Sequence, residues 1–233
     1  MNSRKLHASA FLILIAGVAG MSLVAGCGAP EKAGKTEGKT PTPKATEKIA
    51  IQAPATLGNL LAAYKLEVAA KARYDAFAIK ADAEGYTGVA ALFRATAVSQ
   101  DVLIKKRIDL VKKLSGQEPP GIRIEPPAVQ STKENLALAA AAAIGGKNLL
   151  YPDFAKQAEV EKNTPAVYAF KGAMAAETEY VKYFQQALAD LNGWKAEGKT
   201  FAVCEVCSFL VMGAPPAACP ICAAPREKFR IVK

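Results

Sequence analysis

The spacing of apolar residues predicts long helices in the middle of the chain, beginning with a first hairpin. Apolar side chains recur at helical intervals from Thr56 to Glu84, and Gly85 marks the end of this first helix. A second helix is predicted from Thr87, its expected N-cap, to about Leu114. The short connection between the two helices indicates an antiparallel pair.

A second hairpin is predicted further along the chain. Ser131 and Glu134 match a capping box at the start of a third helix, which extends to about Glu161 and is interrupted at Gly145-Gly146. Thr164-Pro165 is expected to cap a fourth helix, with the proline at its first helical position. These two helices form the second antiparallel pair.

A proline-rich segment between the hairpins determines the topology. Pro119-Pro120 and Pro126-Pro127 cannot continue a helix, so this segment forms a long connection. The fourth helix then stops at Asn192-Gly193. Two hairpins joined by a long crossover predict a mainly α protein with a ferritin-like four-helix bundle over residues 56–195.

An internal repeat supports this topology. Residues of the first hairpin recur in the second at an offset of 77, without insertions. The recurring residues are Tyr74, Phe77, Ala78, Ala81, Phe93 and Arg94, which correspond to Tyr151, Phe154, Ala155, Ala158, Phe170 and Lys171. Aromatic residues at helical spacing usually form core. A pattern shared by both hairpins indicates that the hairpins are copies of one another.

The clearest chemical signal is a pair of CxxC motifs near the C-terminus. Cys204 and Cys207 form the first motif, Cys219 and Cys222 form the second, and eleven residues separate the two. Such motifs predict a closed tetrahedral site of four thiolates, which suits iron or zinc and leaves no coordination position for a substrate. A zinc ribbon with the same ligands and a pair of disulfides are the alternatives to iron.

The N-terminal segment has the order of a secretory signal. An apolar run from Phe11 to Ala25 follows two basic residues and is too short for a stable membrane span. It closes on Leu23-Val24-Ala25-Gly26-Cys27, which resembles the lipobox of bacterial lipoproteins. The resemblance implies a signal peptide over residues 1–26 and lipidation of Cys27, with an uncleaved anchor as the alternative. Gly28, the residue after the predicted lipidated cysteine, slightly favours the outer membrane over the inner membrane as the location of the anchor.

The segment that follows is predicted to be a linker. Residues 27–55 are rich in Lys, Glu, Thr, Gly and Pro, and they contain few apolar residues. The formal net charge of the chain is +9, which suits anionic headgroups or an acidic redox partner. Basic and aromatic residues are not interleaved, so nucleic-acid binding is not expected. We therefore expect a lipid-anchored protein of the cell envelope that faces the periplasm.

Both hairpins resemble the rubrerythrin family. The residues that carry this resemblance are Asn59-Leu60-Leu61, Glu67, Arg73-Tyr74, Phe77-Ala78, Glu84-Gly85-Tyr86, Phe93, Tyr151-Pro152, Phe154-Ala155-Lys156 and Phe170. The run from Cys219 to Pro225, followed by Phe229, is similar to the rubredoxin-like end of that family. The resemblance covers about Thr56 to Val232 and implies a rubredoxin-like domain over residues 199–233. In that family, electrons pass through a mononuclear iron module with four cysteine ligands to a di-iron centre that reduces peroxide.

The resemblance also shows which ligands of a di-iron centre are missing. Such a centre takes a glutamate from each of two helices and a Glu-x-x-His motif from each of the others. Glu67 and Glu177 remain as vestigial ligands. The first Glu-x-x-His motif falls on Gln100 and Leu103, and Tyr180 stands in place of the second histidine.

The remaining positions of the pattern are also changed. The third helix has Ala143 and Gly146 near the places where the family has carboxylates, and the one histidine of the chain is His7, in the predicted signal peptide. We therefore expect no di-iron centre. The two remaining glutamates are expected to persist as a hydrogen-bonded pair with Gln100 or Tyr180, with one of them protonated.

These observations favour an electron carrier over an enzyme. The first hypothesis is an envelope-anchored protein with one iron in the four-cysteine site, which exchanges single electrons with a redox partner protein. A peroxide-reducing enzyme with an atypical di-iron site and a zinc-stabilised interaction module are the alternatives. The resemblance also suggests a homodimer.

The four-cysteine site differs from the family pattern at one position. Ser208 follows Cys207 at a place where the family has glycine, in a turn that requires a positive φ.

Overall fold

The computed structural model describes residues 54–195 and 198–233. The predicted signal peptide, Cys27 and nearly all of the predicted linker lie outside the described residues. Within the described part of the chain, no helix combines the length and the apolar character needed to cross a membrane.

The described chain is mainly helical, as predicted. The helices are α1 (Ala55–Ala83), α2 (Thr87–Ser115), α3 (Thr132–Gly145), α4 (Tyr151–Val160) and α5 (Thr164–Ala189). A π-helical turn, Gly146–Leu150, joins α3 to α4, so these segments together form the third member of a four-helix bundle. Short 3-10 turns occur at Asn192–Trp194 and Arg226–Lys228. The strands are β1 (Phe201–Cys204), β2 (Leu210–Met212) and β3 (Phe229–Val232).

The helix starts agree only in part with the predictions. The capping box of Ser131 and Glu134 is present. Thr87, however, does not cap α2, because its hydroxyl donates to the carbonyl of Lys195 at 3.1 Å. The cap of α5 is Asn163, whose side chain accepts from the backbone of Ala166 at 3.2 Å, so the predicted cap lies one residue too late.

The internal repeat is visible in the packing of the aromatic rings. Phe77 lies 5.4 Å from Phe93 at an interplanar angle of 64°, and Phe154 lies 5.4 Å from Phe170 at 61°. The salt bridge between Arg94 and Asp82 has its counterpart in that between Lys171 and Glu159, with N–O distances of 2.7 and 2.8 Å. The two hairpins are therefore structural copies as well as sequence copies.

Extending the repeat toward the helix starts reveals one insertion, which corrects the expectation of none. Thr56 and Leu60 on α1 correspond to Thr132 and Leu136 on α3, an offset of 76 rather than 77, and all four side chains are buried. The extra residue is accommodated by the π-helical turn, which widens the helix by one residue. This turn begins at Gly146, within the interruption predicted from Gly145-Gly146.

The hairpins also exchange equivalent contacts at their ends. Glu84, which follows α1, accepts from the backbone amide of Thr132 at 2.8 Å. Glu161, its repeat counterpart after α4, accepts from the backbone amide of Thr56 at 3.1 Å. Each carboxylate thereby satisfies a free amide at the positive end of a helix in the other hairpin.

The three strands form a small antiparallel sheet in the order β2-β1-β3. Its inner residues, including Phe201, Leu210 and Val232, belong to the same hydrophobic core as the bundle. The ring of Phe201 packs edge-on against Tyr183 of α5 at 5.6 Å, and the Tyr183 hydroxyl accepts from the amide of Met212 at 3.0 Å. The C-terminal module is therefore packed on the bundle and not merely tethered to it.

Candidate metal centre

The four C-terminal cysteines come together in one cage, as predicted. The sulfurs of Cys204, Cys207, Cys219 and Cys222 all lie within 4.8 Å of one another. Across the two motifs, the Sγ atoms of Cys204 and Cys222 are 3.7 Å apart, and those of Cys207 and Cys219 are 3.5 Å apart. A tetrahedral site with metal–sulfur bonds of about 2.3 Å has sulfur–sulfur edges of about 3.8 Å. The cage fits such a metal, and its four cysteines are free rather than joined in disulfides.

Each half of the cage is a tight turn with the same backbone hydrogen bonds. The amide of Ser208 donates to the carbonyl of Cys204 at 2.9 Å, and the amide of Ala223 donates to that of Cys219 at 2.9 Å. Ser208 and Ala223 have φ angles of 69° and 58°, the left-handed conformation that favours glycine. Ser208 thus adopts the conformation expected for the glycine that it replaces. The first turn is called the Cys207 knuckle below, and the second the Cys222 knuckle.

Backbone amides point at the sulfurs. A hydrogen bond with Cys207, together with the amides of Cys207 and Val206, lowers the pKa of Cys204 to about 5. The contact with Cys204 and burial raise the pKa of Cys207, although the amide of Phe209 opposes this. Burial also raises the pKa of Cys222. Four thiolates in this space therefore require a cation at their centre, which is the chemistry of a metal site.

In the bundle, Glu67 has partners that the sequence analysis did not anticipate. Its Oε1 accepts from Nε and Nη2 of Arg107 at 3.1 and 3.0 Å, and from the hydroxyl of Tyr151 at 2.9 Å. The side chains of Arg107 and Glu67 are 0% and 1% exposed. Burial raises the pKa of Glu67, and the charge of Arg107 opposes that rise. The expectation that Glu67 pairs with Gln100 or Tyr180 was therefore wrong.

Glu177 has a different environment. Its carboxylate lies against Gly146 of the π-helical turn, where an added Cβ would be 3.3 Å from its Cδ. Burial and the charge of Glu67 raise its pKa well above the usual value, and a weaker contact with Gln100 opposes that rise. Among the described residues, no hydrogen-bond partner is found for Glu177 Oε2 or for Gln100 Oε1. A buried carboxylate in this setting is held in the protonated form.

Tyr180 does not contact Glu177 through its hydroxyl. It donates instead to the hydroxyl of Ser99 at 2.5 Å, and Ser99 donates to the carbonyl of Ser208 at 2.5 Å. The position at which the family has a histidine ligand therefore belongs to a hydrogen-bonded line that leads to the Cys207 knuckle.

The sequence analysis missed two residues of this interior, Arg107 and Ser99. Arg107 follows Gln100 and Leu103 at helical spacing on the buried face of α2. A charged residue on an apolar stripe was a signal that could have found it, because such a charge requires a buried partner. Ser99 carried no such signal.

The remaining predicted positions have clear places in the fold. Leu103 and Ala143 are core residues with 0% and 1% exposure. Glu67, Tyr74, Gln100, Tyr151 and Glu177 surround a cavity of about 260 Å³ between the helices. The structure thus brings Glu67 and Glu177, the two glutamates singled out from the sequence, to one cavity, but each has its own environment.

Two family profiles match the chain in sequence. The Rubrerythrin profile matches residues 58–188, and the profile of the rubredoxin-like domain of rubrerythrin matches residues 203–230. Nigerythrin from Nitratidesulfovibrio vulgaris is 33% identical over 175 residues, which cover 75% of this chain and 85% of that protein. A rubrerythrin from Porphyromonas gingivalis is 29% identical and covers 78% of this chain and 92% of that protein.

Solved structures agree with these sequence matches. A structure of nigerythrin in a partially reduced state superposes with a TM-score of 0.69 at 32% identity, over 84% of this chain and 99% of that one. The bacterioferritin BfrA of Mycobacterium tuberculosis, at 20% identity and a TM-score of 0.52, shares the fold.

Proposed function

This chain belongs to the rubrerythrin family, and from that premise we propose that it carries single electrons through one iron in its four-cysteine site, without a di-iron centre in its bundle. Zinc in the same cage and a peroxide-reducing di-iron enzyme are the alternatives against which the proposal is tested.

Electron transfer is supported by the construction of the cage. Four thiolates fill the coordination sphere of a tetrahedral metal, so no position remains for a substrate. When iron is bound, it supplies a one-electron couple whose potential depends on hydrogen bonds to the sulfurs and on solvent exposure. Cys204, Cys207 and Cys219 are buried, whereas Cys222 is partly exposed. Water is therefore kept from most of the cage, while one edge is open to a partner.

The ion pair between Glu67 and Arg107 is the observation that carries the proposed loss of the di-iron centre. A carboxylate that bridges two irons shares its negative charge with those ions. Here the guanidinium of Arg107 supplies the compensating charge, at 3.0 Å from Glu67 Oε1. A metal at this carboxylate would have to lie beside a buried, permanently charged guanidinium.

The rest of the donor set also disagrees with two irons. Glu177 occupies the room beside Gly146 that a ligand side chain would need, Ala143 offers no donor, and the one histidine of the chain is His7. The residues present therefore do not fit a di-iron centre, and the proposed electron transfer does not require one.

A groove beside the cage supports the proposed redox partner. It has a volume of about 690 Å³ and is bordered by Cys207 and Cys222, by Asp109 and by the lysines Lys106, Lys113 and Lys171, of which Lys171 is paired with Glu159. This arrangement favours a partner with an acidic surface. We expect that reversing two of these charges in Lys106→Glu/Lys113→Glu slows reduction by an acidic electron donor and weakens the salt dependence of the rate. An unchanged rate would exclude this groove as the docking site.

Metal analysis of the purified protein tests the proposal. We expect about one iron per chain and the visible absorption of a ferric thiolate site. About three irons per chain would restore the di-iron hypothesis, and peroxide turnover with a suitable reductant would overturn the non-enzymatic one. Zinc with no colour would favour the interaction module.

The envelope anchor is a separate proposal that depends on Cys27. Cell fractionation and detergent partitioning of the full chain test it. We expect the parent protein in the membrane fraction, and we expect the Cys27→Ser variant to lose both the lipid and the membrane association. An unmodified parent protein would contradict the anchor and leave the metal proposal unaffected.

A further inference from the structure

A buried line of hydrogen bonds connects the bundle to the sulfur cage. The hydroxyl of Tyr180 on α5 donates to the hydroxyl of Ser99 on α2 at 2.5 Å. Ser99 donates in turn to the backbone carbonyl of Ser208 at 2.5 Å. All three residues are 0% exposed. The line therefore runs through the core, away from water, and ends in the Cys207 knuckle.

The last peptide of this line also contacts a metal ligand. The carbonyl of Ser208 and the amide of Phe209 belong to one peptide unit, and that amide is hydrogen-bonded to the sulfur of Cys207. Donation to the carbonyl side of a peptide polarises the amide side, because hydrogen bonds in a chain strengthen one another. The bundle thus acts on the sulfur through a single backbone peptide.

We propose that Ser99 and Tyr180 are positioning residues that strengthen the bond from the Phe209 amide to Cys207 and thereby raise the reduction potential of iron in the cage. The inference rests on the proposed one-electron function. Reduction adds a negative charge to the cage, and a stronger amide donor stabilises the more negative state. Hydrogen bonds to the sulfurs are among the factors that set the potential of such centres.

The protonation of Tyr180 is compatible with this role. Burial raises the pKa of Tyr180 well above the usual value, so its hydroxyl remains a donor. Ser99 needs that donor, because its own proton is committed to Ser208. Tyr180 therefore holds the Ser99 hydroxyl in one orientation.

The Cys222 knuckle provides an internal comparison. Ala223 holds the position equivalent to Ser208, and the amide of Ala224 bonds to the sulfur of Cys222. Ala223 is exposed, and in the described part of the chain no side chain donates to its carbonyl. The bundle therefore acts on one half of the cage and leaves the other half as a reference.

Two variants remove the line at different points. Tyr180→Phe keeps the ring in the core and removes the first donor, whereas Ser99→Ala removes the bond to Ser208. Thr96→Val is the matched control, because the buried hydroxyl of Thr96 on the same helix donates within α2, to the carbonyl of Leu92 at 2.9 Å. The metal-loaded protein is used in every case.

The first measurement is the potential of the iron form by optical redox titration. At a fixed ambient potential we expect the ratio of reduced to oxidised centre to fall about threefold in Tyr180→Phe and about tenfold in Ser99→Ala. These changes correspond to roughly 30 and 60 mV at 59 mV per tenfold for one electron. Thr96→Val is expected to keep the parent potential.

The second measurement does not require iron. In the zinc-loaded protein, the proton shift of the Phe209 amide reports the strength of its bond to sulfur, and the Ala224 amide is the internal reference. We expect the Phe209 resonance to move upfield in both variants while Ala224 stays in place. A protein that proves to hold zinc would end the proposed electron transfer, yet this measurement would still test the line.

Unchanged Phe209 shifts in a folded Tyr180→Phe protein would overturn the inference. Equal shifts of Phe209 and Ala224 would also overturn it, because they would show a general loosening of the cage. If Ser99→Ala does not fold, the Tyr180→Phe protein alone tests the inference. This variant is the milder change, since it leaves the hydrogen bond between Ser99 and Ser208 in place.

Discussion

The pairing of Arg107 with Glu67 predicts a loss of stability that depends on pH when the guanidinium is removed. In Arg107→Met, Glu67 keeps its bond to Tyr151 at 2.9 Å but loses both nitrogen donors. Breaking a fully buried pair costs about 3–5 kcal/mol, because an uncompensated charge stays behind. With Tyr151 still in contact, we expect a loss of about 3 kcal/mol in unfolding free energy at pH 8.

The loss should shrink in acid because Glu67 can take up a proton. Burial already raises its pKa above the ordinary value of 4.5, and Arg107 opposes that rise. When Arg107 is removed, the pKa of Glu67 in the folded state rises further above its value in the unfolded chain. The penalty is therefore absent near the unfolded pKa and grows as the pH rises toward the folded pKa. At pH 5 we expect about 1 kcal/mol, the part due to lost stacking of Arg107 over Phe170.

Urea titrations at pH 5 and pH 8 measure this difference, with Glu67→Gln and the double variant as partners in a cycle. The double variant should recover about 2 kcal/mol of the loss at pH 8, because no charge is left in the core. Equal losses at both pH values, together with additive single effects, would refute the view that the guanidinium neutralises Glu67.

Three further predictions concern other contacts. Thr132, whose backbone amide donates to Glu84 at 2.8 Å, holds the pKa of Glu84 at about 2, below 4.5 in the unfolded chain. The contribution of Glu84 to stability is therefore complete above pH 4.5 and disappears as the pH falls to 2. Glu84→Gln should cost about 1 kcal/mol at pH 7 in urea titrations and progressively less in acid. Its repeat counterpart Glu161→Gln should shift stability in the same direction, and a loss that persists at pH 2 would contradict the assignment. Cys219→Ser should retain less than about a tenth of the parent metal by elemental analysis, and full retention would exclude the four-sulfur site. Ser208→Gly should raise stability by about 0.5 kcal/mol in thermal melts by relieving the left-handed backbone, whereas a lower melting temperature would show that its side chain matters more.

The elements that could be predicted from the sequence are those whose signal is local. Helical spacing, the capping box at Ser131 and the two CxxC motifs each depend on a few neighbouring residues, and the structure confirms them. The glycines at 145 and 146 predicted an interruption, but the type of interruption was not predictable from them. A π-helical turn arises because one extra residue must be absorbed without breaking the match between the two hairpins.

The partners of buried polar groups could not be predicted, because they depend on how helices face one another. Glu67 and Arg107 are 40 residues apart and meet only through the packing of α1 against α2. Ser99 and Ser208 are 109 residues apart and meet only because the sheet packs on the bundle. The family pattern marked Glu67 and Tyr180 as positions at which the resemblance implies di-iron ligands, but it contained no information about the partners that these side chains have here.

The repeat shows which kind of residue holds the position equivalent to Arg107 in the second hairpin. At the offset of 77, Arg107 corresponds to Phe184. The ring of Phe184 lies 5.6 Å from Phe93 and 5.9 Å from Tyr74. The guanidinium carbon of Arg107 lies 4.7 and 5.8 Å from the rings of their counterparts, Phe170 and Tyr151. A planar guanidinium stacks as a ring does, so Arg107 fills an aromatic position in one half of the bundle and adds a charge to it.

Glu67, the partner of Arg107, also differs in type from its counterpart in the repeat. At the offset of 76 it corresponds to Ala143, a core residue with 1% exposure. The first hairpin therefore holds two opposite charges at positions where the second hairpin holds two apolar residues. Apolar replacement of a buried ion pair is often neutral. Copying the other half in Glu67→Ala/Arg107→Phe should therefore leave the unfolding free energy within about 1 kcal/mol of the parent at pH 8. A loss of about 3 kcal/mol or more in the same urea titrations would show that the pair does more in this core than cancel its own charge.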